Sequence, residues 1–208
     1  MKDEKEAHIP YLSPAAIERE AEAFRRKYWD ESLPVDIEHI VDVRMDLRIV
    51  PVPGLYASLG IKAYISSNWK EIMVDKGAYE NERLRLALNY SYAHEIGHLV
   101  LHKEIYDALR MATMADYYCF TEEKNSDGNS FHRNAEIQAN MFAKFLMIPT
   151  APLRMAKAQA LDRYPEELKK QLEKVDLEMV NEYLAVDLSE KFGVSDVAVK
   201  NALNKLPE

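Results

Sequence analysis

The feature that most constrains this chain is a long helical pattern that carries two histidines on one face. From residue 81 to about residue 102, apolar residues recur at helical spacing without a proline. Inside this stretch stands the pattern HExxH, in which His94 and His98 are four residues apart. Residues at this spacing share a helix face, with Cβ atoms about 5–6 Å apart, so both imidazoles can reach one metal ion.

The residues between the two histidines also suit a metal site. Glu95 lies about 100° round the helix from His94, which places it beside the ion rather than on it. A carboxylate there can accept a proton from a metal-activated water, and we predict Glu95 as the general base. Gly97 has no side chain, so another element can approach the helix closely. The alternative is a helix whose histidines only pack, and a chance match to the pattern is expected in about 2% of such chains.

A second helical segment offers a third ligand. Catalytic zinc takes three protein ligands and keeps one position open, and two histidines with a glutamate are a recurring set. Glu136 follows His98 by 38 residues. Its helix face also carries small residues and one amide, which would let this helix lie close to the histidine helix: Ala139, Asn140 and Ala143. We predict Glu136 as the third metal ligand.

Two further polar residues are expected near the metal without binding it. Asn140 stands one turn beyond Glu136, where its amide oxygen can accept the free N–H of a ligand imidazole. His102 continues the histidine series by four residues but lies too far along a straight helix to join the ligands. We expect His102 to pack or to form a hydrogen bond. The apolar side of the Glu136 helix is predicted to consist of Ile137, Met141, Phe145 and Ile148.

The order of predicted elements is helices, a small sheet and again helices, which is typical of the α+β class. Helix starts are signalled by Ser13 before Pro14 and by Asp36. The remaining elements follow from periodicity and turn residues: a strand at 47–52, a β-hairpin at 60–75, a polar loop at 121–130, a helix from 134 that ends before Pro149, and helices beyond residue 152.

Composition excludes several classes of protein. The single cysteine, Cys119, excludes an internal disulfide framework and a cysteine-based zinc site. The net charge of −8 over 208 residues disfavours whole-surface attraction to nucleic acid or anionic membranes. The chain shows neither the apolar run of a membrane helix nor that of a signal peptide. We therefore expect a soluble, cytoplasmic protein whose oligomeric state is open.

With these motifs the sequence resembles the ImmA/IrrE family of metallopeptidases. The resemblance is carried by the run from His94 to His102, by Glu136 followed by Ala-Asn three and four residues later, and by Leu-Met-Ile-Pro at 146–149. The similar layout of the preceding helix and hairpin extends the resemblance to about residues 10–150.

The resemblance implies an active site, a cofactor and a substrate class. It implies a thermolysin-like zinc site in which His94, His98 and Glu136 bind Zn²⁺ and Glu95 is the general base. The implied reaction is hydrolysis of a peptide bond in a protein substrate. Members of the family are associated with cleavage of helix-turn-helix repressors that control mobile elements or stress genes, so we expect a repressor as partner.

The sequence divides into a zinc metallopeptidase-like domain at residues 1–150 and a helical region at 151–208. The helical region ends in a helix-turn-helix-like pair with its turn at residues 192–195. Residues 182–208 contain five acidic residues and three lysines, a net charge of −2, which disfavours DNA binding. The alternative left open is a metal-binding transcriptional regulator that acts through this segment with little or no proteolysis.

Several details of the site stay open at the level of sequence. Two histidines and a carboxylate also hold Fe(II) in oxygenases, although a spare Glu95 favours hydrolysis. Residues 71–75 are a candidate strand edge for binding an extended substrate, and residues 116–134 are a candidate lid. The oxyanion donor is undetermined among four residues close to the ligand helix: Tyr117, Tyr118, His132 and Arg133.

Overall fold

The computed structural model describes residues 9–108, 130–165, 167 and 175–206, most of them helical. In chain order the helices are α1 (Pro14–Tyr28), α2 (Ile37–His39), α3 (Leu55–Leu59), α4 (Lys76–Tyr79), α5 (Arg85–Ala108), α6 (Ser130–Met147), α7 (Thr150–Asp162), α8 (Leu177–Phe192) and α9 (Asp196–Asn204). The strands are β1 (Arg48–Val52), β2 (Ala63–Ile65) and β3 (Glu71–Asp75). This order of elements confirms the α+β class.

The predicted helix ends are confirmed by their capping contacts. The hydroxyl of Ser13 accepts the backbone N–H of Ala16 at 3.2 Å, and Pro14 opens α1. The carboxylate of Asp36 accepts the backbone N–H of His39 at 3.0 Å at the start of α2. These side chains satisfy backbone donors that a first helical turn leaves without partners. Residues 82–84 form a 3₁₀ turn, and the long helix α5 itself begins at Arg85.

The sheet has the strand order β1-β3-β2. Strands β2 and β3 are antiparallel, with Ile65 opposite Ile72, which confirms the predicted hairpin. Strand β1 lies on the other side of β3 and runs parallel to it, with Ile49 opposite Ile72. Because β3 is paired on both sides, the expectation that residues 71–75 offer an edge to a substrate is wrong. Within the described residues, β2 pairs with β3 alone, so the edge of the hairpin that stays open is that of β2.

The predicted apolar side of α6 is confirmed in part, because Phe145 and Ile148 are buried and the partly exposed Met141 packs against the core. Ile137, which was assigned to its apolar side, is 46% exposed. The buried stripe follows helical spacing through Ala135, Ala139, Phe142 and Leu146. Helix α6 packs against α1 on one side and α5 on the other, and this double contact turns Ile137 toward solvent.

The predicted helical pair at the C-terminal end is confirmed as α8 and α9. Gly193 ends α8 in the left-handed conformation at φ 63°, and Ser195 caps α9. Phe192 and Val199 are completely buried and belong to one apolar cluster that also contains Ile17. Core residues on both sides of residue 150 thus lie in the same cluster, and the division into domains there stays a prediction. No helix in the described ranges has both the length and the apolar character needed to cross a membrane.

Gly193 provides a test of how this helical pair is attached. Its αL backbone alone disfavours a side chain, and an added Cβ would lie 2.7 Å from Cβ of Pro34. Gly54 has a similar φ of 72° but open space around it. We expect Gly54→Ala to lower the free energy of unfolding by about 1–2 kcal/mol. We expect Gly193→Ala to cost a further 1–3 kcal/mol or so, because of overpacking. Urea denaturation measures both, and equal losses would contradict the close contact with Pro34.

Candidate metal centre

Helix α5 presents two imidazoles to one point. The Nε2 atoms of His94 and His98 are 3.1 Å apart, and the ring centroids are 4.8 Å apart. The spacing of four residues places both rings on one face, as the HExxH pattern predicts. His98 is buried and His94 is mostly buried, so both Nε2 atoms meet at the floor of a cleft rather than in bulk solvent.

Helix α6 brings Glu136 to the same point. One carboxylate oxygen lies 3.2 Å from Nε2 of His94, and the other lies 3.2 Å from Nε2 of His98. This approach depends on Gly97, because a Cβ there would lie 3.0 Å from both Cα and the carbonyl oxygen of Ala139. The predicted role of small residues where the two helices face each other is thus confirmed.

The three side chains fit a metal ion. Ligand atoms held tetrahedrally at about 2.0–2.1 Å from one ion lie roughly 3.3 Å from one another. The two Nε2 atoms are 3.1 Å apart, and each lies 3.2 Å from a different carboxylate oxygen of Glu136, so these separations are close to that value. Burial by itself raises the pKa of Glu136, but hydrogen bonds from His94 and His98 hold it well below its usual range. Two imidazoles and one carboxylate in this arrangement form a possible site for a divalent cation.

Glu95 lies beside this cluster and makes a contact of its own. It is 8% exposed, and its Oε2 accepts the backbone N–H of Ile65 at 2.8 Å. Burial raises the pKa of the Glu95 carboxyl, opposed by the nearby imidazoles of His98 and His94. The hydrogen bond from Ile65 connects Glu95, on α5, to the open edge of β2. Glu95 lies outside the group of three possible ligands.

Side chains from α6 also contact the far ring nitrogens of the histidines. Oδ1 of Asn140 lies 3.2 Å from Nδ1 of His94, which is the contact predicted for it. His102 is completely buried and lies outside the group of possible ligands, as expected. Its Nδ1 is 3.2 Å from Nδ1 of His98, and its Nε2 is 3.1 Å from Oε1 of Gln138.

A cleft of about 520 Å³ opens over the cluster. One wall is strand β2 with its flanking residues, and Tyr90, Trp69 and Tyr106 contribute aromatic surface. The sequence prediction omitted all three aromatic residues. Tyr106 continues the i+4 series of the histidines by one more turn, so a helical projection could have found it. Trp69 reaches the cleft from the hairpin turn at φ 59°, for which the sequence gives no comparable signal.

Some predicted features fall outside the described residues. These include Tyr117, Tyr118 and Cys119, most of the candidate lid, and residues 121–129 of the polar loop. Residue 130 of that loop is the first residue of α6. The described side chain of Arg133 is exposed.

Comparison with known proteins agrees with this geometry. A family model described as the IrrE N-terminal-like domain, Peptidase_M78, matches residues 81–204. The matched range contains α5 and α6 and therefore every residue of the possible metal cluster. A comparison with curated proteins finds no match.

The contact between α5 and α6 can be tested at Gly97. Alanine favours an isolated helix over glycine by about 1 kcal/mol. We nevertheless expect Gly97→Ala to lower the free energy of unfolding by about 1–3 kcal/mol, because the added methyl group meets the backbone of Ala139. Urea denaturation of the metal-free protein measures the change. Glu104→Ala, at an exposed position of α5, is the control and should leave stability nearly unchanged. A stabilised Gly97→Ala would contradict the close approach.

Proposed function

The chain belongs to the IrrE N-terminal-like family of peptidases, and from that membership we propose that it is a zinc-dependent endopeptidase acting on a protein substrate. The observation that carries the proposal is the convergence of His94, His98 and Glu136, in which the two Nε2 atoms are 3.1 Å apart and each lies 3.2 Å from one carboxylate oxygen of Glu136. The buried carboxylate of Glu95 beside this cluster favours hydrolysis over the oxygenase chemistry that the same ligand set can support.

In the proposed mechanism His94, His98 and Glu136 hold Zn²⁺. When bound, Zn²⁺ would polarise the scissile carbonyl and acidify a water molecule. Glu95 accepts a proton from the attacking water and passes it to the amide nitrogen as the C–N bond breaks. Its burial and the hydrogen bond from the backbone N–H of Ile65 hold the Glu95 carboxylate in place to accept and release that proton.

Strand β2 supports a way of holding an extended substrate. The carbonyl of Lys62 and the N–H of Ser66 bond to β3, so alternation along the strand turns the backbone groups of Ala63 and Ile65 away from β3. The N–H of Ile65 is already bonded to Glu95. We propose that a substrate peptide pairs with the remaining outward groups of β2, which would carry its scissile bond past Glu95 and the metal.

We further propose a helix-turn-helix repressor in the cytoplasm as the substrate. This step is supported by the association of the ImmA/IrrE family with cleavage of such repressors. A cleft bordered by the open edge of a strand would accept an extended segment of a repressor rather than a folded helix.

The contacts of α9 weaken the alternative of a regulator that binds DNA through its terminal helices. The ammonium of Lys200 lies 2.8 Å from a carboxylate oxygen of Glu182 and 3.7 Å from one of Glu178. Oδ1 of Asn204 accepts the amide N–H of Asn181 at 2.9 Å. Two of the polar groups that α9 would offer to DNA are therefore engaged within the helical pair.

Paired substitutions separate metal binding from proton transfer. We expect Glu136→Ala to lose most bound zinc, because it removes one of three ligands. We expect Glu95→Gln to keep zinc at the level of the unmodified protein and to slow peptide hydrolysis by roughly 10²–10⁴-fold, since an amide cannot accept the proton. Elemental analysis and cleavage of a mixed peptide library, followed by mass spectrometry, provide the two measurements.

The control for both substitutions is Glu104→Gln, which changes an exposed glutamate on the same helix and should alter neither quantity. A native protein that holds no zinc after reconstitution, or a Glu95→Gln variant with full activity, would refute the proposed mechanism.

The role of strand β2 leads to a separate prediction. Ala63→Pro removes the outward N–H of an edge position where proline is tolerated. We expect kcat/KM to fall by about 2–10-fold, because one hydrogen bond with the substrate is lost. The zinc content should stay unchanged. Steady-state kinetics on a cleaved library peptide measures the effect. Unchanged kcat/KM in a correctly folded variant would show that the substrate does not pair at Ala63.

A further inference from the structure

The far ring nitrogen of His98 has an unusual partner. A metal-binding histidine most often directs its second nitrogen at a carboxylate, a backbone carbonyl or water. Nδ1 of His98 instead lies 3.2 Å from Nδ1 of a second histidine, His102. Both rings are buried, and His102 is completely inaccessible to solvent. One nitrogen of this pair must donate and the other must accept, so the contact requires a particular tautomer of each ring.

The direction of the hydrogen bonds can be derived from the N-terminal side. The carbonyl oxygen of Pro10 can only accept, and the side-chain nitrogen of Gln138 lies 2.9 Å from it. The oxygen of the Gln138 amide therefore faces His102, whose Nε2 is 3.1 Å away. Because that oxygen can only accept, Nε2 of His102 must carry a hydrogen. Nδ1 of a neutral His102 is then an acceptor.

The same direction follows independently from the metal side. If Nε2 of His98 binds the metal, its lone pair is in use and the hydrogen of the neutral ring is on Nδ1. Nδ1 of His98 must then donate, and the atom facing it is Nδ1 of His102. Both derivations assign the same tautomer to His102. A chain of hydrogen bonds that satisfies every donor and acceptor at both ends is a specific arrangement rather than incidental packing.

We propose that His102 and Gln138 are positioning residues for the metal ligand His98. The proposal rests on the proposed zinc site. The hydrogen-bond chain runs from His98 through His102 and Gln138 to the carbonyl of Pro10 and holds the His98 ring with Nε2 toward the metal. It joins α5, α6 and the segment before α1. Complete burial of Ile9 anchors that segment, so the position of Pro10 is fixed by apolar packing.

The two histidine ligands are supported differently. His94 relies on Asn140, an exposed residue whose own amide nitrogen bonds to the carbonyl of Glu136 in the preceding turn of α6. His98 relies on a buried chain that ends outside both ligand helices. Solvent can replace a lost partner of His94 more readily than a lost partner of His98. Loss of a partner in the buried chain should therefore weaken metal binding more than loss of Asn140.

The direct test is the tautomer of each ring in the unmodified, zinc-loaded protein. We expect a long-range ¹H–¹⁵N spectrum to show hydrogen on Nδ1 of His98 and on Nε2 of His102. Hydrogen on Nδ1 of His102 would overturn the inference. This measurement needs no variant, so it does not depend on whether a substituted protein folds.

A second test measures zinc affinity by competition with a chromophoric chelator. We expect Gln138→Leu, which removes the acceptor for His102, to weaken zinc binding by about 10–100-fold. Gln138→Glu loses the N–H donated to Pro10 but keeps an oxygen acceptor for His102, so it should retain more affinity than Gln138→Leu, which loses both contacts. Gln159→Leu makes the same change at an exposed position of α7 and should leave affinity unchanged. Equal affinity of Gln138→Leu and the unmodified protein would overturn the inference.

These outcomes also separate the inference from the proposed function. Zinc binding with the opposite tautomers refutes the hydrogen-bond chain and leaves the peptidase proposal intact. Zinc binding with the expected tautomers but without any hydrolysis supports the chain and refutes the peptidase proposal. Failure of the unmodified protein to bind zinc overturns both.

Discussion

The close approach of α5 and α6 at Gly97 and Ala139 is the constraint on which the site depends. Without a side chain at Gly97, the second helix can bring polar groups within hydrogen-bond distance of the first. The polar side chains of α6 reach the histidines because the two helices approach each other closely at this point. A single stretch of α6, only five residues long, meets the whole histidine series of α5 through three polar side chains: Glu136, Gln138 and Asn140.

The small sheet completes the site by a different means. The bond from the N–H of Ile65 to Glu95 ties the outer strand of the hairpin to the helix that bears the histidines. The same bond limits the rotation of the Glu95 carboxylate, which in the proposed mechanism reduces the reorganisation needed before it accepts a proton. One backbone group thus connects the strand to the proposed general base and constrains the orientation of its carboxylate.

Local signals in the sequence predicted most of what is local in the structure. The helix caps at Ser13 and Asp36 and the hairpin depend on short-range patterns. The convergence of Glu136 with the HExxH helix was predicted from a different signal, namely the third ligand that a catalytic zinc needs and the small residues on the same helix face. The central position of β3 was not predicted, because the parallel pairing with β1 joins segments more than twenty residues apart and leaves no periodic trace. The exposure of Ile137 was missed for a similar reason, since the buried face of α6 is decided by two neighbouring helices at once.

The contact between Gly193 and Pro34 has a consequence for how the protein folds while it is being synthesised. The apolar cluster includes Phe192 and Val199, so its burial involves residues more than 150 positions downstream of Pro34. During synthesis the helices that carry the possible metal ligands are complete at Met147, before α8 and α9, which complete the burial of this core, have been made. The nascent chain must keep apolar surface exposed over that interval, which is when chaperones commonly protect a growing polypeptide from aggregation.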